Sequence, residues 1–244
     1  MTQYQQIPLR YYMNESEGRM KNYKRYITIV FIWLLSTCSI WAQTNPYRFG
    51  SPHYWMAQGT LDIHAGKFDI AYEHLEKAQK GYRELGDVGF QIQATEAMGA
   101  LKAGLGEWEK AKQHYLNALQ IATEANEDFA QSKVMVDLLA LYRTVGDIIG
   151  YNQYLKALDS LYHVSNSAKL KTVYHLYWSN EYLARKEFAM VETQLLQCWD
   201  VMLDLPFSDR EQAKLNYYNS MMNLKQQQRQ YKDAIRAAKH YIEQ

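Results

Sequence analysis

The residues best suited to chemistry are 7 His and 2 Cys among 244 residues, and their spacing fits no common catalytic or metal-binding sequence. None forms the HExxH or CxxC arrangement, which places two metal ligands within reach of one ion. The GxSxG sequence of a nucleophile elbow and the Walker sequence of a phosphate loop do not occur either. We therefore predict a protein without catalytic residues, metal site or cofactor, and expect that it is not an enzyme.

A glycine-rich segment comes closest to a phosphate loop. Gly99, Gly104 and Gly106 have part of the required spacing, but Leu105 stands where such a loop needs its lysine. We attribute these glycines to helix packing and to a turn.

Two histidines and one cysteine stand at regular spacings along the chain. His74 and His114 lie 40 residues apart and could form a ladder of ligands, but no carboxylate or thiol recurs with them. We interpret both as ordinary residues of a helix surface. Cys198 continues the spacing of Ala78 and Ala118, which predicts a small buried side chain rather than a reactive thiol.

The composition favours packed helices. Only 4 Pro and 12 Gly occur, against 21 Tyr and 6 Trp, a balance that argues against disorder and against a β-protein rich in turns. The formal net charge of +1 gives no electrostatic reason to bind nucleic acid, so we expect no nucleic-acid partner.

The N-terminal segment has the layout of a secretory signal. Basic residues precede the apolar run of residues 26–41, and cleavage after Ala42 would leave Gln43 at the new terminus. The run is shorter than the ~20 residues of a spanning helix, which favours a removed signal over a permanent anchor. Cys38, within a faint lipoprotein-like box, leaves lipid anchoring as a minor alternative.

These features divide the chain into four parts and predict its location. Residues 1–19 are interpreted as an upstream extension, 20–42 as the signal peptide with translation starting at Met20, 43–52 as a short lead-in, and 53–244 as the folded domain. We expect an exported protein of the periplasm or cell envelope, membrane-associated in the lipid-anchored alternative, with no integral span in the mature chain.

An internal repeat organises the folded domain. The segment GKFDIAYEHLEKAQ at residues 66–79 returns as GEWEKAKQHYLNAL at residues 106–119, and helix-ending residues recur at Gly86, Asn126, Asn166 and Pro206 with the same offset of 40. Apolar residues spaced by three and four predict two amphipathic helices per unit. The predicted helices are residues 53–65, 69–85, 89–105, 108–125, 128–145, 148–164, 167–185, 187–204, 208–227 and 231–243.

The repeat resembles the tetratricopeptide repeat, in a variant with a period of 40 instead of about 34. Gly59 and Gly99 fall seven residues before the turn glycines, where that motif has a glycine, and Trp55 occupies its early aromatic position. The resemblance implies an all-α, right-handed α-solenoid of about five hairpins. One hairpin cannot bury its own apolar face, so stacked copies bury it together.

The resemblance also implies a peptide-binding groove, lined by the first helix of each hairpin. The side chains assigned to it are His53, Met56, Thr60, Ile63, Gln93, Glu96, Ala100, Lys133, Val136, Ala140, Arg143, Val173, Leu176, Asn180, Leu183, Asn216, Asn219 and Asn223. The carboxylate clamp of some family members is not expected, because the clamp positions read Met56, Thr60, Ala97, Lys133 and Asp137. An extended segment held by polar contacts beside apolar pockets is the expected ligand.

Two other clusters have a structural interpretation. The aromatic stripe of Tyr174, Tyr177, Trp178 and Tyr182 is assigned to core and inter-repeat packing. The basic residues of the last unit are assigned to a solvated face instead of a site for an acidic partner, and they are Lys225, Arg229, Lys232, Arg236 and Lys239.

The leading hypothesis is a non-enzymatic scaffold that binds a protein or peptide in the cell envelope. The alternative is the sensory N-terminal repeat region of a bacterial signal-transduction protein, either a sensor kinase or a membrane-anchored transcription regulator. The last hairpin leaves apolar residues such as Ile235 and Tyr241 on a face that no capping helix follows, which raises the possibility of a dimer through this hairpin. An enzyme in an unusual helical array is the third possibility.

Overall fold

The computed structural model describes residues 47–230, 233 and 236. The chain divides into two compact units, Met1–Tyr54 and Trp55–Gln244. Within the first unit, the ring of Tyr47 meets that of His53 edge-on at 5.8 Å between centroids. The expected extension, the signal peptide and the beginning of the lead-in lie outside the described residues, as does most of the tenth helix with its expected dimer face.

The part of the chain that the structure describes contains nine α-helices and no β-strand. The helices are α1 (Pro52–His64), α2 (Phe68–Leu85), α3 (Val88–Gly104), α4 (Trp108–Glu124), α5 (Asp128–Val145), α6 (Ile148–Val164), α7 (Ala168–Ala184), α8 (Phe188–Met202) and α9 (Phe207–Gln227). Each boundary falls within two residues of the sequence-based one, and the all-α repeat fold is confirmed.

The turn inside each hairpin requires a left-handed backbone. Gly66, Gly106 and Gly146 have φ angles of +72°, +75° and +77°, which glycine adopts without strain. The fourth hairpin has Lys186 at this place, with φ of +60°. The 40-residue spacing of the turn glycines is therefore a spacing of left-handed turns.

Small residues bring the two helices of a hairpin close together. A Cβ atom added to Gly99 would lie 2.8 Å from the ring of Tyr115, closer than real side chains approach. Ala111 and Ala118 of α4 are fully buried in the core around that ring. The predicted role in packing is thus confirmed for Gly99, which belongs to a helix and not to a phosphate loop, whereas Gly104 is exposed and a Cβ atom there would have no neighbour within 4 Å.

The order of packing is that of stacked hairpins. Within the second unit, α3 packs on α4, α5 on α6 and α7 on α8, while the odd-numbered helices also contact one another, α3 with α5, α5 with α7 and α7 with α9. The first helices of successive hairpins therefore lie side by side in a solenoid-like array. Among the described helices, none has the length and apolarity needed to cross a membrane.

Candidate binding groove

A cavity of about 650 Å³ lies on the neighbouring helices α5, α7 and α9. Its apolar lining consists of Phe129, Val136, Ala140, Val173, Leu176, Leu205 and Ala213. Its polar lining consists of Lys133, Asp137, Arg143, Lys169, Thr172, Tyr177, Asn180, Glu181, Asp209, Gln212, Asn216, Asn219 and Ser220. We call this cavity the groove. Its size is within the ~300–1,000 Å³ usual for ligand sites.

The helical period explains why these residues share one face. In α5 the lining residues recur at steps of three and four, from Phe129 to Arg143, and in α7 they recur from Lys169 to Asn180. Five positions of α5 reappear in α7 after 40 residues, at Lys169, Val173, Leu176, Tyr177 and Asn180. The repeat therefore builds the groove by presenting the same face of successive first helices.

The structure brings together part of the site expected from sequence. Nine of the expected residues line the groove, namely Lys133, Val136, Ala140, Arg143, Val173, Leu176, Asn180, Asn216 and Asn219. Leu183 is buried in the core beside α8 instead of lining the groove.

The other expected residues, including Ile63, Gln93 and Ala100, are not among the lining residues in the described part of the chain. His53 belongs to the first unit. Met56 packs against the core of α2, and the hydroxyl of exposed Thr60 donates to the carbonyl of Met56 at 3.0 Å. Glu96 forms an ion pair with Lys133 at 2.8 Å. Asn223 is half-buried near the end of α9. Whether any of these residues binds a ligand stays a prediction.

An ion pair between a buried carboxylate and a half-exposed arginine at one end of the groove was not foreseen. The carboxylate of Glu181 is buried, and its Oε1 accepts a hydrogen bond from Nη1 of Arg143, whose side chain is 56% exposed. Its Oε2 accepts from the hydroxyl of Tyr151 at 3.4 Å and lies 3.9 Å from Nη2 of Arg185. Tyr151 also shares a hydrogen bond of 2.8 Å with Tyr177.

Glu181 and Tyr151 occupy repeat positions that hold apolar residues in other units. Where α7 has Glu181, the equivalent residues of α3 and α5 are the buried Leu101 and Leu141. Where α6 begins its first turns with Tyr151, α2 and α4 have the fully buried alanines at 71 and 111. The signal that could have identified this network is therefore a polar residue at an otherwise apolar repeat position.

A second polar cluster lies on the α5 wall. Burial, followed by the negative charge of Glu96, raises the pKa of the Asp137 carboxyl to about 7. The ammonium of Lys133 acts in the opposite direction on that pKa but does not outweigh burial. Near neutral pH, Asp137 is thus poised between its acid and its carboxylate form.

At the opposite end of the groove, a cation and a carboxylate balance each other. Nζ of Lys169 lies 2.9 Å from Oδ2 of Asp209 and 5.6 Å from the ring centroid of Phe129. This pair joins the N-terminal turns of α7 and α9 and closes the groove with no excess charge of its own.

The cysteine and the two regularly spaced histidines have structural roles in the described part of the chain. The thiol of Cys198 is fully buried, and burial raises its pKa to about 12, which disfavours the reactive thiolate. His74 binds Asp62 at 2.9 Å, and His114 shares a hydrogen bond of 3.2 Å with Tyr72, so each is occupied within the helix array. No cluster of three metal-ligating side chains occurs among the described residues.

The aromatic stripe serves packing, as predicted, with one exception. Tyr174 stacks on Tyr162 at 4.0 Å between ring centroids, and Trp178 stacks on Tyr182 at 5.4 Å. Tyr177 packs in the core between α5 and α6 but also lines the groove.

Two basic residues of the last unit, Lys225 and Arg236, lie near carboxylates. Lys225 binds Glu192 at 3.3 Å and Arg236 lies 3.4 Å from Asp233, while Lys232 and Lys239 fall outside the described residues.

Comparisons with known proteins add little to this description. No protein-family model matches the chain, and no curated protein matches it. Among solved structures, the chain is similar to the crystal structure of BtubC (BKLC) from P. vanneervenii, with a TM-score of 0.48, 15% identity and 85% coverage of each chain.

Proposed function

We propose that this protein is a tetratricopeptide-type repeat scaffold that binds an extended peptide segment of a partner protein in the groove on α5, α7 and α9. The observation that carries the proposal is the groove itself: a cavity of about 650 Å³ with an apolar centre and exposed amide side chains around it. Apolar pockets beside side chains that can bond to a peptide backbone suit an extended ligand.

The dimensions of the groove set the length of the segment. From Lys169 to Asn180, α7 rises by ~1.5 Å per residue, which gives about 16 Å. Across the groove, two helix spacings of ~8–10 Å give a similar distance. At ~3.3 Å per extended residue, either direction accommodates about five residues of peptide.

The side chains of the groove suit a segment with apolar residues at its centre. Val136, Val173 and Leu176 form an apolar floor, and their partial exposure leaves them available to a ligand. Asn180, Asn216 and Asn219 are exposed and carry both donors and acceptors. Amides of this kind satisfy the backbone groups of a peptide that is removed from water.

A peptide selection followed by a blocking variant tests the proposal. Random dodecapeptides displayed on phage are selected on the purified chain, and the best are remade with a fluorescent label for polarisation measurements. Ala140 is exposed in the groove, so Ala140→Trp fills it without entering the core. We expect this variant to weaken binding at least tenfold.

A matched variant controls for the bulk of the new side chain. Ala189 is an exposed alanine of α8, and its carbonyl accepts a hydrogen bond from Thr193 just as that of Ala140 accepts one from Thr144. Ala189→Trp should bind the selected peptides like the original chain. If both variants weaken peptide binding equally, or if neither weakens it, the ligand does not lie in the groove.

The proposal includes a location in the cell envelope and a role without catalysis. The apolar run before Ala42 supports export, and the lack of a catalytic motif in the sequence supports a binding role. Intact mass spectrometry of the native protein from separated soluble and membrane envelope fractions tests the location. A soluble species that begins at Gln43 and ends at Gln244 supports the scaffold; a much heavier membrane-bound species supports the sensory region of a signalling protein.

A further inference from the structure

The groove is not electrically uniform, and its unbalanced charge is at one end. We call the arginine end the part of the groove formed by Arg143, Asn180 and Asn219. There the buried carboxylate of Glu181 lies between two guanidinium groups, bound to Arg143 and 3.9 Å from Arg185. Two cations thus lie near one carboxylate, Arg143 within the groove lining and Arg185 outside it, and one positive charge remains at this end.

The two lysines of the groove are each paired with a carboxylate. Lys169 is paired with Asp209 at 2.9 Å, and Lys133 is paired with Glu96 at 2.8 Å. Asp137, beside that second pair, holds its proton through much of the range below neutral pH because of its burial. A charged group of a ligand therefore finds its complement at the arginine end rather than at Lys133 or Lys169.

The stability of the fold does not explain why residue 181 is a buried carboxylate, whereas the positioning of the Arg143 guanidinium does. Burying an ion pair costs desolvation energy that its attraction rarely exceeds by much, and apolar replacements are often neutral or stabilising. The repeat itself uses Leu101 and Leu141 at this position. In α7 the position instead holds a carboxylate, which fixes one nitrogen of the Arg143 guanidinium and leaves that side chain 56% exposed on the groove.

We propose that the arginine end binds the carboxylate of an Asp or Glu side chain of the bound peptide, while neighbouring apolar side chains of the peptide lie on Val136, Val173 and Leu176. This inference rests on the proposed function, since it names a residue of the same ligand. A guanidinium with free N–H groups binds a carboxylate through paired hydrogen bonds. The side-chain amides of Asn180 and Asn219 add neutral donors at the same end.

The test uses peptides whose only carboxylate is a side chain. The best dodecapeptide from the selection is remade in two versions, both with an acetylated N-terminus and an amidated C-terminus. The first version keeps its Asp and Glu residues, and the second has Asn in place of Asp and Gln in place of Glu. Fluorescence polarisation against the full chain then gives two dissociation constants. We expect the acidic peptide to bind about tenfold more tightly than its amide counterpart, as a charge-assisted hydrogen bond would produce.

A double substitution that restores the repeat pattern shows whether the preference arises at this end. Arg143→Ala with Glu181→Leu gives the residues that α3 has at the equivalent positions, Ala103 and Leu101. The measured quantity is the ratio of the two dissociation constants, which we expect to fall from about ten to about one. Arg83→Ala removes one positive charge from an exposed position of α2 and should leave that ratio unchanged.

The outcomes separate this inference from the proposed function. A ratio near one in the original chain, or a ratio that survives the double substitution, would overturn the carboxylate site even if Ala140→Trp still blocks binding. Binding that needs a free C-terminus would likewise overturn the assignment to a side chain. If Ala140→Trp has no effect on any selected peptide, the groove function itself fails.

Discussion

The second and fourth hairpins follow the same 40-residue pattern but differ in what they bury. In α3, Gly99 and Leu101 are buried among apolar neighbours, and the hairpin is closed by the ring of Tyr115. In α7, the equivalent positions hold Ser179 and Glu181, both buried and both hydrogen-bonded. A repeat can therefore keep its helix packing while a few core positions hold polar residues that form contacts beside a cavity.

The largest effect is expected when the polar residue of the fourth hairpin is placed in the second. Leu101→Glu buries a carboxylate where Ile63 and Ala71 stand in place of Arg143 and Tyr151. We expect the free energy of unfolding to fall by about 3–5 kcal/mol, the usual cost of an uncompensated buried charge. Urea unfolding followed by circular dichroism measures it. Leu101→Met, which conserves volume, should cost less than about 1.5 kcal/mol, and equal losses in both variants would contradict the account.

The next effect concerns the close approach of α3 and α4. Gly99→Leu forces a side chain against the ring of Tyr115, since even a Cβ atom would lie 2.8 Å away. We expect a loss of about 2–3 kcal/mol from overpacking. The third hairpin has Leu139 and Leu155 at these two positions. Gly99→Leu combined with Tyr115→Leu should therefore recover more than half of the loss in the same unfolding measurement, and no recovery would count against the register.

The third prediction concerns pH and the carboxyl of Asp137. Its pKa is raised to about 7 in the folded chain, whereas an unfolded aspartate titrates near ~3.9. Between these values the folded state binds the extra proton, so this group stabilises the fold most at low pH and its contribution falls as pH rises toward 7. From pH 5 to pH 8 we expect the original chain to lose roughly 2–3 kcal/mol relative to Asp137→Asn. Parallel stability profiles of the two proteins would contradict the assignment.

The smallest effect is expected for the variant that gives the third and fourth hairpins the residues of the second. Arg143→Ala with Glu181→Leu removes the ion pair of a buried carboxylate and restores an apolar side chain, so the free energy of unfolding should change by less than about 1 kcal/mol. The single Arg143→Ala substitution should destabilise more, because it leaves the buried carboxylate of Glu181 without its closest partner. A double-mutant cycle measures this coupling. Additive losses would show that the pair does not act as a unit.

Most of the fold could be predicted from the sequence because the residue pattern of each helix recurs in several repeat units. Apolar spacing, the turn glycines and the helix-ending residues agree from one unit to the next, so the nine described helices begin and end close to the predicted residues. Part of the groove followed from the same register, including Lys133, Arg143 and Asn180. What remained hidden was which three first helices would leave a cavity between them.

The contribution of Glu181 was missed for a physical reason. A carboxylate within an apolar stretch is usually a solvated side chain, and only the folded arrangement brings Arg143 and Tyr151 to it from α5 and α6. Their separation in sequence gives no hint of this contact. The groove residues expected on the first two hairpins include Met56, Thr60 and Glu96. Whether such residues line a cavity depends on side-chain packing, which the sequence period does not determine.

A crystal structure of the chain with its tightest selected peptide would show whether the peptide lies in the groove on α5, α7 and α9. We predict about five ordered peptide residues across Val173 and Leu176, with an acidic side chain at Arg143. A peptide bound on the turns of the hairpins or on α2, α4, α6 or α8, with the groove empty, would contradict the account.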